Sequence, residues 1–187
     1  GEEPKAYERY NIKLGEKNVD QIRRFAKLLK LIEQGSDDEF AREIGKRMNL
    51  EQFAGYLAAI SILVNIDSYI GMPHNYYLLM DKADGKLRML PWDLNETFGT
   101  FTMGRSPEML VKWDIDRPWI SRRRIVERLF ETEQFPKLYR NAVTKLMKNH
   151  FTEKKYFARI EEFEKAIAPH VKKDTDELSI VKEETRG

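Results

Sequence analysis

The chain has 187 residues, 41% of them hydrophobic, which is enough for one medium-sized domain with its own core. Its 33 basic and 31 acidic side chains nearly cancel to +2, a poor balance for a protein that lives on phosphate-backbone contacts, so a nucleic-acid binder is disfavoured. With no cysteine, a disulfide framework, a thiolate zinc site and a cysteine nucleophile are all excluded, and either a reducing cytosol or a bacterial surface would suit the chain. The longest apolar run, Tyr56 to Ile66, is about half of what a bilayer requires, so no membrane span is predicted. The polar start "GEEPKAYERYNIK" has no signal-peptide pattern and reads as the interior of a longer protein.

In chain order, "NVDQIRRFAKLLKLIEQG" places Val19, Ile22, Phe25, Leu28, Leu29 and Ile32 at helical spacing, with Asn18 as cap and Gly35 as stop. Ser36 with Glu39, and then Asn49 with Gln52, make two capping-box signatures for the next two helices. The third helix, apolar almost all round from Phe53 to Ile66, is expected at the centre of the domain, with Asp67 delivered at its carboxyl-terminal end. Asn75 to Met80 and Leu87 to Trp92 then read as two strands about an Ala83-Asp84-Gly85 turn. Gly99 to Pro118 looks like a long functional loop. The remainder returns to helix in "RRRIVERLF", "FPKLYRNAVTKLMKNH" and "YFARIEEFEKAIAPHV", before a polar tail from Lys172 that has little to bury and is expected to fray. The fold class is therefore mostly α with one small β-hairpin.

That order of parts has a chemical consequence. An antiparallel hairpin returns the end of its second strand to the start of its first, so Asp93 is brought back towards Asn75 and Asp67. Two carboxylates and an amide oxygen are hard ligands, suited to Mg²⁺ or Mn²⁺ rather than zinc, and a divalent ion held by few carboxylates leaves positions for phosphate oxygens. Kinase-type phosphoryl transfer uses such a set: one Asp orients the accepting hydroxyl, while an Asn and a second Asp hold the metal. The eight-residue step from Asp67 to Asn75 is longer than in the H-R-D-x-x-x-x-N pattern, and Gly71-Met72-Pro73 fits an insertion. The plainer alternative is that Asp93 caps a turn, Asn75 satisfies a bend, and His74 is a hydrogen-bonded loop histidine. Tyr76, Tyr77, Trp92 and Phe98 are expected to be core and lid packing.

The words "NIDSY", "HNYYL" and "GKLRMLPWDLNETFG", in that order, resemble the spore coat protein H (CotH) kinase family, whose members have an atypical protein-kinase-like fold. The resemblance runs from about Tyr7 to Val171 and is most specific in the hairpin. It implies the carboxyl-terminal lobe of that fold. Residues 1–17 would be an inter-lobe segment, 18–171 the helical lobe with its catalytic hairpin at 75–93, and 172–187 the polar tail. It further implies Asp67 as the catalytic residue, Asn75 as a metal- or phosphate-positioning residue, and Asp93 as the metal-binding Asp. The family usually writes P-W-D-x-D, whereas this chain has Asn95. As a ligand, Asn95 would keep an oxygen and lose a charge, and Glu96 is a possible substitute carboxylate. Lys13 in "YNIKLGEKN" would reach the nucleotide cleft, or else be a solvated surface lysine. No Gly-rich phosphate loop or strand-borne V-A-I-K lysine is seen, so the isolated chain is expected to bind ATP weakly.

The function implied is transfer of the γ-phosphoryl of ATP, with Mg²⁺ or Mn²⁺, to Ser or Thr of a coat or surface protein. The expected partners are that acceptor, ATP and the amino-terminal lobe of the same protein, at the spore coat or cell surface. The alternatives are an inactive pseudokinase or scaffold, which Asn95 favours, and a small-molecule kinase using the same site. Two further features stand outside the hairpin. Arg122, Arg123 and Arg124, with Arg105, Lys112 and Arg117 before them, could receive an acidic or phosphorylated substrate, or could be a solvated helix face. Asp114 and Asp116 could bind metal, or could form a turn with Arg117.

Overall fold

In a computed structural model, the backbone is described for residues 19–184 and the side chains for residues 19–175. The 1–17 segment, the expected cap Asn18 and the nucleotide-cleft candidate Lys13 lie outside the described residues. The elements run α1 (Val19–Gln34), α2 (Asp37–Arg47), α3 (Leu50–Ile62), β1 (Tyr76–Met80) and β2 (Leu87–Pro91). A 3-10 turn (Leu94–Glu96) follows, then α4 (Pro107–Val111), α5 (Arg124–Phe130), α6 (Phe135–Asn149) and α7 (Glu153–Glu184). The fold is mostly α with one antiparallel hairpin, as the sequence predicts.

Two compact units divide the chain at Thr144 and Lys145. In the first, both capping signatures form: Ser36 accepts the Glu39 N–H and Asn49 accepts the Gln52 N–H, each satisfying a helix-end donor. The Gln52 side chain does not complete its box. It donates to the Met89 carbonyl at 2.6 Å and accepts the Met89 N–H at 3.1 Å, and Asn49 N–H donates to the Leu87 carbonyl. These bonds fasten β2 to the first turn of α3.

The core gathers Phe40, Ile44, Phe53, Leu57, Ile60, Leu129, Phe135 and Tyr139, all fully buried. The rings of Phe53 and Phe135 sit 5.9 Å apart, and Phe130 meets Tyr139 edge-on at 5.1 Å. Burial pushes the Tyr139 phenol up to about 12, and its hydroxyl donates to the Ile115 carbonyl. Arg128, only 7% exposed, lies over the Phe40 ring at 4.2 Å. It donates to the carbonyls of Leu31, Ile32, Gly35 and Ser36 and to the Asp37 carboxylate. One guanidinium thereby caps the end of α1 and locks the turn into α2.

Three sequence expectations are corrected. The central helix stops at Ile62, not Ile66, because Leu63–Asn65 close it with a Schellman turn. Val64 N–H bonds to the Ser61 carbonyl and Asn65 N–H to the Ile60 carbonyl, with Val64 left-handed at φ 47°. Asp67 thus lies in a loop past the helix end. The long loop contains α4, capped by Ser106. In the second unit, α7 continues past Lys172, where fraying is expected, to Glu184. Its Phe157, Phe163, Ile167 and Val171 are exposed, and Phe151 stacks on Tyr156 at 6.1 Å.

Candidate active site at the open end of the hairpin

The loop between Asp67 and Asn75 is built by short-range bonds. Ser68 hydroxyl donates to the Asn65 carbonyl at 2.5 Å, and Met72 N–H donates to the Ile66 carbonyl at 3.0 Å. Gly71 is required by close approach, since a Cβ there would collide with the Ile66 carbonyl. From outside, Ile120 N–H donates to the Ile70 carbonyl. Arg123 donates through Nε to the Tyr69 carbonyl at 2.7 Å and through an Nη to the Gly71 carbonyl, with its guanidinium 5.9 Å from the Tyr69 ring centre.

The loop brings two of the predicted residues into contact. The Asn75 amide nitrogen donates to both the Asp67 carbonyl and the Asp67 carboxylate, each at 2.9 Å. His74 Nε2 lies 3.2 Å from the other Asp67 oxygen. With its nitrogen so engaged, the Asn75 amide has its oxygen as the end that can meet a cation. Asn75 takes up the left-handed conformation at φ 56°, one that Asn tolerates better than most residues.

The strand register then fixes where Asp93 sits. Tyr76 pairs with Pro91, and Trp92 N–H donates to the Asn75 carbonyl at 3.0 Å, so Asp93 is the next residue beyond Asn75's partner. It too is left-handed, at φ 51°, and its carboxylate makes no capping bond to the 3-10 turn that follows. The turn-capping alternative is therefore not what its side chain does. Asp93 and Asn95 are both exposed, and Glu96 is half-buried. Phe98 N–H donates to the Leu63 carbonyl at 2.6 Å, tying the segment after Asp93 to the end of α3. Among the described residues, no three carboxylate, imidazole or thiol groups gather into a metal cage.

Trp92 and Phe98, expected as packing, are instead 56% and 58% exposed. Tyr77 stands edge-on to Trp92 at 5.2 Å, and Tyr76 meets Tyr69 at 5.2 Å. The basic run is also reassigned. Arg123 holds the loop, and Arg124 donates to the Ile32 and Glu33 carbonyls, so neither guanidinium is a solvated helix face. Asp114 Oδ1 accepts the N–H groups of Asp116 and Arg117, while Asp116 pairs with Arg140. That is the turn alternative, made through the Arg117 backbone.

Asn65 escaped the sequence reading, and so did the loop-holding role of Arg123. Asn65 is fully buried, and neither atom of its amide has a partner. An amide inside an otherwise apolar run was the available signal, because burying one is costly without a structural or chemical reason. Arg123 gave no local signal, lying more than fifty residues from the carbonyls it holds.

The family model described as CotH kinase protein matches residues 1–186. A curated relative, the inner spore coat protein H of Bacillus subtilis (strain 168), is 24% identical over 114 residues, which cover 61% of this chain and 29% of that protein. The aligned segment is thus under a third of the relative's length. With the match running along nearly the whole sequence, the chain belongs to the CotH kinase family.

Proposed function

We propose that this chain carries the catalytic half of a protein-kinase-like phosphotransferase, moving the γ-phosphoryl of ATP to a Ser or Thr hydroxyl. The observation that carries the reading is the Asn75 amide bonded to the Asp67 carbonyl and carboxylate, at the hairpin end where β2 delivers Asp93. In this reading Asp67 accepts the proton as the hydroxyl oxygen bonds to the γ-phosphorus and the bond to the β-phosphate oxygen breaks, releasing ADP. His74 and Asn75 hold the Asp67 carboxylate in one orientation. The donor set fits a hard divalent cation, since Asp93 and the Asn75 oxygen, with Asn95 beside them, are oxygen ligands. So few protein ligands suit an ion whose remaining positions are taken by phosphates and water. Such a cation, when bound, supplies charge neutralisation on the transferring phosphoryl group.

Leu79, Leu90 and Trp92 lie exposed on one face of the hairpin, which a nucleotide-binding amino-terminal lobe would cover. The relative's being an inner spore coat protein supports a protein acceptor in a coat or surface assembly, and the same location for this protein. No described helix is long and apolar enough to cross a membrane. A second reading, an inactive scaffold of such an assembly, is favoured by Asn95 where the resembling pattern has Asp.

Paramagnetic broadening tests the metal assignment on the 187-residue chain itself. Substoichiometric Mn²⁺ should broaden the amide signals of residues 67, 75 and 93–96 first, and Asp93→Ala should remove that effect. Broadening centred on Asp81 and Asp84, or on Asp114 and Asp116, would contradict it.

A further inference from the structure

A second cleft lies in the segment between the hairpin and α5. It has a volume of about 360 Å³ and is lined by Arg105, Trp113, Asp114, Arg117, Trp119 and Ile120, a size within the range of small-molecule and side-chain sites. Its walls are rich in donors that have nothing to bond. The indole nitrogens of Trp113 and Trp119 are closed to solvent and lack an acceptor, which costs about 1–3 kcal/mol for each. The guanidinium of Arg117 lies over the Trp119 ring at 5.7 Å. Neither Arg105 nor Arg117 has a carboxylate partner among the described residues. The cleft's own carboxylate, Asp114, already has one oxygen engaged by two backbone N–H groups. Two guanidiniums and two indole N–H groups outnumber the one acceptor left in the cleft, the second Asp114 oxygen, and the group that completes such a set is an oxyanion.

We propose that this cleft binds an oxyanion-bearing side chain, in the first place phosphoserine, on the polypeptide that the enzyme phosphorylates. The oxyanion meets Arg105 and Arg117. A turn of the Trp113 and Trp119 side chains on binding would bring their indole nitrogens, now shut away, to its oxygens. The cleft is several times larger than a phosphate group, so its remaining volume takes the backbone that carries it. The acceptor would then be held by one phosphorylated residue while another hydroxyl is presented at the Asp67 site. The choice of a polypeptide carrier rests on the phosphotransferase reading, whereas the oxyanion chemistry stands without it.

The test uses the 187-residue chain carrying Trp92→Phe, which leaves Trp113 and Trp119 as the fluorescent reporters. It is titrated without nucleotide against a phosphoserine peptide, the same peptide unphosphorylated, and inorganic phosphate. The expected result is a saturable fluorescence change with the phosphopeptide, at least tenfold weaker with free phosphate and absent with the plain peptide. Arg105→Gln and Arg117→Gln should each weaken binding about tenfold with the circular dichroism unchanged. No saturable change with any probe, or equal binding by the arginine variants, would overturn the site. Equal affinity for free phosphate would overturn the polypeptide carrier. Because the titration needs no nucleotide, it is read apart from a transfer assay on the chain joined to its amino-terminal lobe. Binding here with no transfer there contradicts only the enzyme reading, and transfer there with no binding here contradicts only this site.

Discussion

Arg128 and the Asp67–Asn75–Asp93 end of the hairpin are two polar centres of the first unit built on opposite terms. At Arg128, a buried cation is surrounded by four carbonyls, a carboxylate and an aromatic face. At the hairpin end, Val64, Asn75 and Asp93 are all left-handed, Asn65 is buried with its amide unpaired, and Asp93 faces solvent with no capping bond. A fully satisfied centre stabilises, and removing it leaves orphaned groups. A strained and under-satisfied one is held by its surroundings for another purpose, and such sites cluster where chemistry or binding occurs.

The contrast can be broken from either side. The largest effect is expected at the satisfied centre. Arg128→Met should destabilise the first unit by about 3–5 kcal/mol, since four carbonyls lose a charged donor together. Denaturant unfolding would show it, and a loss under about 1 kcal/mol would mean that water replaces the guanidinium.

Next is alkaline pH. Burial raises the Tyr139 phenol from 10.0 to about 12, so the folded state holds its proton more tightly than the unfolded chain does. The stabilisation is complete below pH 10 and is lost as pH climbs towards 12, at about 1.4 kcal/mol per pH unit. Tyr139→Phe should flatten its share of the slope, leaving those of Tyr56 and Tyr69, whose phenols burial also raises.

Arg123→Met should cost less, about 1–2 kcal/mol. Its effect should concentrate in faster amide exchange across residues 66–75, with turnover lowered more than the KM for ATP. Arg123→Lys should restore only part, because one ammonium cannot span both carbonyls as the guanidinium does. The smallest effect is expected from Val64→Gly, which relieves a β-branched residue in the left-handed region and should stabilise by up to about 1 kcal/mol. A loss of stability there would mean that Val64 packing outweighs its strain.

Much of this was legible in the sequence because the signals are local. Ser36 and Asn49 announced their helices through residues three positions on. The hairpin followed from two short runs rich in aromatics and leucine about an Asp-Gly turn, and its antiparallel return was enough to place Asp93 beside Asn75. The end of α3 was misread because Leu63, Val64 and Ile66 continue an apolar run, and nothing in the run marks Val64 as left-handed where glycine usually stands. Arg122, Arg123 and Arg124 read as a basic run, either a substrate contact or a solvated helix face, and Arg128 had no separate reading. The acceptors of Arg123, Arg124 and Arg128 are mainly backbone carbonyls in distant segments, which a sequence does not display. The cleft between Trp113 and Trp119 was equally hidden, since spacing alone does not show that an indole N–H lacks a partner.

The central claim, a phosphoryl-transfer site on this hairpin, is tested most directly by following labelled γ-phosphate from ATP with Mg²⁺ or Mn²⁺ to a serine-rich acceptor. The chain should be joined to the amino-terminal lobe that the reading requires, and wild type compared with Asp93→Ala. The account predicts transfer in the wild type and a fall of about a hundredfold or more in the variant, equivalent to about 2.7 kcal/mol or more of transition-state stabilisation, with unchanged folding stability. A folded wild type that transfers nothing and gains no stability from nucleotide, or an Asp93→Ala variant as active as wild type, would contradict it.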